Sequence, residues 1–110
     1  MSADPDFISF IEEQLEPLGP LAAGRFFGGH AFKQDGAQFA MVMGNTLYLR
    51  VDDETRPGFR EEDSEPFSYT TKRGRVIVDS YYAAPERLMD DPDVLVAWAR
   101  EAIAAARRAK

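Results

Sequence analysis

The chain contains no cysteine. That absence excludes a disulfide framework, a thiolate metal site, an iron–sulfur cluster and a cysteine nucleophile. It suits a cytoplasmic protein. Histidine is nearly absent too: His30 is the only one. No histidine pair can build a zinc or non-haem iron site, and a Ser-His-Asp triad would have a single imidazole to draw on. No apolar run approaches the roughly eighteen residues of a membrane span. The first residues, Met1 to Asp6, lack the basic and apolar regions of a signal peptide. Positive charge is scarce: 13 Lys and Arg stand against 19 Asp and Glu, for a net charge of −6. Sequence-independent nucleic-acid binding neutralises many phosphates with Lys and Arg. This chain could do so only through a local basic face.

What is present describes one globular domain. The 110 residues are 45% hydrophobic and 29% charged, which is enough for a single core and argues against disorder. Asp4-Pro5-Asp6 is the start chemistry of a helix, and Phe7, Ile8, Ile11, Leu15 and Leu18 continue at helical spacing. Pro17 and Gly19-Pro20 stop it, so the first helix is expected over residues 5–17. From Arg25 to Val51 the period falls to two. Arg25-Phe26-Phe27 leads into Gly28-Gly29, where a bulge or sharp bend is expected. Ala31–Lys33, Gln38–Met43 and Leu47–Val51 then read as a three-stranded antiparallel meander with turns at Asp35-Gly36 and Gly44-Asn45. The alternation sets Phe39, Met41 and Met43 on one face, expected to be core.

Residues 52–65 hold seven acidic and two basic residues and admit a short helix around Thr55–Glu62, anchored by Phe59. Phe67, Tyr69 and Thr71, then Lys72-Arg73-Gly74, then Arg75 to Tyr82 read as a second hairpin. Asp91-Pro92 repeats the helix-start chemistry. Leu95, Trp98, Ala99, Ala102, Ile103 and Ala106 form the apolar stripe of a last helix, with Trp98 as a core anchor. The expected fold is α+β: a mainly antiparallel five-stranded sheet with the first and last helices on one face.

Arg25-Phe26-Phe27-Gly28-Gly29, Asp35-Gly36, Phe39-Ala40 and Leu47-Tyr48-Leu49-Arg50-Val51-Asp52 resemble the N-terminal domain of TfoX/Sxy-type proteins. So do Ser64-Glu65-Pro66-Phe67-Ser68-Tyr69, Tyr81-Tyr82-Ala83-Ala84-Pro85 and Trp98-Ala99-Arg100. The resemblance makes residues 1–110 one TfoX N-terminal-like domain. It departs from the pattern at His30-Ala31, after the Gly-Gly pair, and at Phe26, where Met is frequent. It implies an α+β fold with this element order, similar in layout to type III secretion chaperones. It also implies a non-enzymatic regulatory role, because the founding members are bacterial regulators of competence genes. Those full-length regulators carry a second, helical domain, and the resemblance covers only the first. It brings no catalytic or ligand-binding residues with it.

The residues themselves offer few alternatives. His30 beside Gly28-Gly29 could serve a small enzymatic or ligand-binding site, but no motif supplies a nucleophile or an orienting partner. The glycine pair lacks the longer pattern of a phosphate loop. Lys72, Arg73 and Arg75, near Tyr69, Tyr81 and Tyr82 in sequence, are the candidate interaction surface. They could contact phosphate or a protein, or simply solvate a turn. Arg107, Arg108 and Lys110 suit the negative end of the helix dipole. The acidic residues between Asp52 and Glu65 lack EF-hand spacing and read as a solvated loop or a surface for a basic partner. No metal and no cofactor are expected. The expected partner is a protein, with nucleic acid a weaker option and a membrane excluded. A monomer or weak homodimer is expected, the monomer favoured.

Overall fold

The computed structural model describes residues 3–109. Its first half runs α1 (Pro5–Gln14), a 3₁₀ turn at Glu16–Leu18, β1 (Ala22–Phe26), β2 (Gly29–Gln34), β3 (Ala37–Met43) and β4 (Thr46–Arg50). There follow α2 (Arg56–Glu61), β5 (Pro66–Thr71), β6 (Gly74–Ala83), a 3₁₀ turn at Glu86–Asp90 and α3 (Pro92–Arg108). The helix starts follow their capping chemistry. The Asp4 carboxylate accepts the Asp6 N–H at 3.0 Å, and that of Asp91 accepts the Val94 N–H at 3.4 Å. Each satisfies a donor that a helix start leaves orphaned. α1 ends at Gln14, short of the expected residue 17, and the chain tightens into the 3₁₀ turn. Pro17 has no N–H to continue the α-helical ladder.

One antiparallel sheet has the order β1-β2-β3-β4-β6-β5. It has six strands where the sequence predicts five. The extra strand comes from residues 22–34, which form a complete hairpin. Phe27 and Gly28 take φ values of 48° and 79°, the left-handed pair of a type I′ turn, so the chain reverses and Phe26 pairs with Gly29. Ala22-Ala23-Gly24 carries no apolar alternation to announce a strand. Asp35 and Gly36, at 48° and 81°, make the expected turn in the same conformation.

α1, α2 and α3 pack on one face. Ile11 and Leu15 of α1, with Leu95, Ala99, Ala102 and Ile103 of α3, bury Phe32, Phe39, Val42, Leu47 and Leu49. Each large side chain taken fully from water stabilises the fold by about 1.5–3 kcal/mol. Phe59, the expected anchor of α2, is buried in the same core. Trp98 closes the core at its rim, partly buried, with its ring edge-on to Phe59 at 4.8 Å.

The expected face of Phe39, Met41 and Met43 is split. Phe32 pairs with Ala40 and Lys33 with Gln38, so Phe39 is the extra residue of a β-bulge. The bulge reverses the alternation. Ala37 and Phe39, then Ala40 and Val42, face the helices, whereas Met41 and Met43 face away. A period-two reading carries no mark of such an inserted residue. Among the described residues no helix is long and apolar enough to cross a membrane.

Candidate functional site

The face turned away from the helices has an apolar cluster of its own. Ala31, Met41, Met43, Phe67 and Tyr81 are buried there, with Phe26, Tyr48 and Val78 packed around them. The register shift between Pro66 and Phe67 bends the β5–β6 hairpin, which brings Phe67 edge-on to Tyr48 at 5.1 Å. Between this hairpin and the β1–β2 tip lies a cavity of about 400 Å³, a size that suits a small ligand or a few apolar side chains. Phe26 and Phe27 wall one side, Phe67, Tyr69 and Val78 the other, and Met41 and Met43 line it between them. Methionine is flexible and polarizable, which lets such a wall adapt to different occupants. Burial, and then the Glu65 carboxylate, push the Tyr48 phenol up, so it stays protonated at neutral pH.

Phe27 is the strained member. Its φ of 48° is a conformation that bulky residues rarely adopt, and its side chain is 81% exposed. Its ring meets Phe26 edge-on at 4.6 Å. Asparagine is the preferred residue at such a turn position. An exposed phenylalanine there gains no burial to offset the strain. Tyr69, 46% exposed, stands on the opposite wall. Gly29, at the foot of the turn, packs so closely on the Met43 sulfur and the Val42 carbonyl that a Cβ would not fit.

The strands and the helices differ in how their charges are paired. The strands hold Arg25, Lys33, Arg50 and Arg75 but one carboxylate, Asp79. Asp79 is engaged by the Tyr82 hydroxyl at 2.9 Å and by Arg56 at 3.3 Å. All six ion pairs among the described residues use Arg56, Arg87, Arg107 or Arg108. None uses a strand cation. Arg50 lies over the Tyr81 ring, 5.6 Å from its centre, with its Nε enclosed and lacking a hydrogen-bond partner. Tyr81 is held from the other side by Gln38, whose side-chain amide donates to the phenol oxygen at 3.2 Å.

The acidic segment has its basic partners within the chain. Arg108 reaches Asp52 at 2.6 Å and Glu54 at 2.7 Å, Arg87 reaches Glu62 at 2.9 Å, and Arg56 reaches Asp53 at 2.7 Å. The Arg108 hydrogen bond, helped by the backbone N–H groups of Thr55 and Glu54, holds the Asp52 carboxyl down to about 2. Arg107 bonds Gln34 at 2.9 Å and Asp35 at 3.3 Å. These two arginines therefore tie α3 to the sheet and the acidic loop as well as facing the helix dipole.

The sequence-predicted interaction residues do not form one patch. Lys72 and Arg73 are exposed at the β5–β6 tip. Arg75 pairs with Thr70 and bonds the Ser68 hydroxyl at 2.9 Å, on the side of the hairpin opposite Tyr69 and Val76. Tyr69 and Tyr81 share the uncovered face, but Tyr82 lies in the helix-side core. His30 is half-buried, edge-on to Phe32 at 5.2 Å, and its Nε2 has no hydrogen-bond partner among the described residues. Its cross-strand partner is Val42, on the helix side, so the imidazole does not share the cavity. Sequence reasoning missed Phe27, Met41, Met43 and Arg50 as site residues. The signal it could have used is Phe27 itself, a bulky side chain immediately before Gly28-Gly29. Among the described residues no group of His, Cys, Asp and Glu gathers as a metal site.

No curated protein matches the chain. A comparison with known protein families matches the TfoX N-terminal domain over residues 13–106, from the last residues of α1 almost to the end of α3. The chain belongs to the TfoX N-terminal domain family.

Proposed function

We propose that this domain is a non-enzymatic regulatory or adaptor module. It acts in the bacterial cytoplasm through protein contacts, in the manner of the TfoX-type regulators of competence genes. The observation that carries the reading is Phe27, an exposed and strained aromatic at the mouth of an apolar cavity. Strain of this kind collects at functional positions. A large apolar surface on a domain of this size marks an interaction site. The Gly28–His30 region supports a catalytic or ligand site less well, because Gly28 serves the turn, Gly29 serves close packing, and His30 lies on the other side of the sheet. The module is proposed to be monomeric at modest concentration. Light scattering after size exclusion should give the chain mass, and a stable species at twice that mass would refute this.

The regulatory reading is tested in the native cell by transcript profiling. A chromosomal Phe27→Asn strain with unchanged protein level should reproduce the transcript changes of a deletion strain. A profile identical to that of the wild type would contradict the reading.

A further inference from the structure

The uncovered face couples an apolar cavity to cations that make no ion pair among the described residues. We infer that its occupant is an acidic peptide segment, which inserts apolar side chains between Phe27 and Tyr69 and sets its carboxylates against Arg50 and Lys33. The inference rests on the protein-contact reading and names the chemistry of the partner.

Charge complementarity selects this occupant. Among the helix-side arginines Arg56, Arg87, Arg107 and Arg108 pair with the chain's own carboxylates and Arg60 and Arg100 do not, whereas on the uncovered face and its hairpin tip none of Lys33, Arg50, Lys72 and Arg73 makes an ion pair among the described residues. Arg50 is fixed against the Tyr81 ring, which lines the cavity. A planar guanidinium held in this way is set to receive a carboxylate in a two-pronged hydrogen bond. Lys33 is the cross-strand partner of Gln38, the residue that holds Tyr81. Cations therefore border the Tyr81 side of an apolar cavity, and Lys72 and Arg73 lie beyond Tyr69 at the hairpin tip. A second copy of the chain would bring the same cations face to face, and like charges opposed across an interface disfavour it. A basic segment would meet the same repulsion.

The test selects short random peptides on the full chain, then maps each selected peptide by the methyl resonances of labelled methionines. Met41 and Met43 report the uncovered face, and Met89, packed on the helix-side core, is the internal control. Selected peptides should combine aromatic or aliphatic residues with Asp or Glu and should shift Met41 and Met43 while leaving Met89 in place. Their affinity should fall by about tenfold or more for Phe27→Asn and for Arg50→Gln, and should fall as salt is raised. Circular dichroism of each variant separates lost binding from lost folding. Neutral or basic peptides that bind at Met41 and Met43 would overturn the acidic assignment and leave the protein-contact reading standing. If no peptide moves those methyls, or if only an oligothymidylate does, both are overturned.

Discussion

The two faces of the sheet bury apolar residues in different ways. On the helix side, Phe39, Leu49 and Val51 disappear beneath α1 and α3. On the other side, Met41 and Met43 are enclosed only by aromatic side chains and a bent hairpin. The first arrangement puts its apolar surface into stability and Arg56, Arg87, Arg107 and Arg108 into internal ion pairs. The second leaves Phe27 and Tyr69 exposed and the Arg50 Nε without a hydrogen-bond partner among the described residues. A sheet with a helix-covered core on one side therefore carries a second apolar face that its own side chains only partly cover.

The contrast breaks most visibly in the helix-side core. Phe39→Ala should destabilise the fold by about 3–5 kcal/mol, because the ring is fully buried at the bulge. Denaturant unfolding measures this, and a loss near zero would remove the bulge from the core. Trp98→Ala should cost less, about 2–3 kcal/mol, because the indole is only partly buried against Phe59. The same titration, followed by circular dichroism, checks it. On the uncovered face the sign should reverse. Phe27→Asn creates the Asn-Gly pair that a type I′ turn prefers and should raise stability by about 0.5–1 kcal/mol. A lower melting temperature would mean that Phe27 holds the fold together.

Arg108→Ala should have the smallest effect on stability at neutral pH, since the Arg108 side chain is 42% exposed and solvent screens its pairing with Asp52. Its signature is the pH dependence. Asp52 titrates near 2 in the folded chain against its usual 3.8, so the unfolded chain binds the proton more readily. This contribution is present above about pH 4 and fades as pH falls towards 2. Removing Arg108 should move the Asp52 titration back towards 3.8 and flatten the acid limb. Carboxyl shifts followed by NMR would show it, and an unmoved titration would deny the pairing.

Local chemistry was legible in the sequence. Asp4-Pro5, Asp91-Pro92 and Asp35-Gly36 each announce their structure within a few residues, and Phe59 declares itself as the one large apolar residue in an acidic stretch. What depended on distant partners was not. β1 exists because β2 pairs with it, although Ala22-Ala23-Gly24 has no pattern of its own. Arg108 meets Asp52 across fifty-six positions of sequence. The uncovered face was hidden by the bulge at Phe39, since an unbroken alternation would have put Met41 and Met43 in the same core as Phe39. The strained turn was hidden because phenylalanine is an unusual choice for a left-handed position.

Site-specific photo-crosslinking in the native cell asks whether a protein docks on the uncovered face. A benzoylphenylalanine at position 27 samples the uncovered face, and one at Glu12 samples the exposed side of α1. A discrete protein adduct is expected from position 27 and not from position 12. No protein adduct at position 27, or the same adducts from both positions, would contradict it.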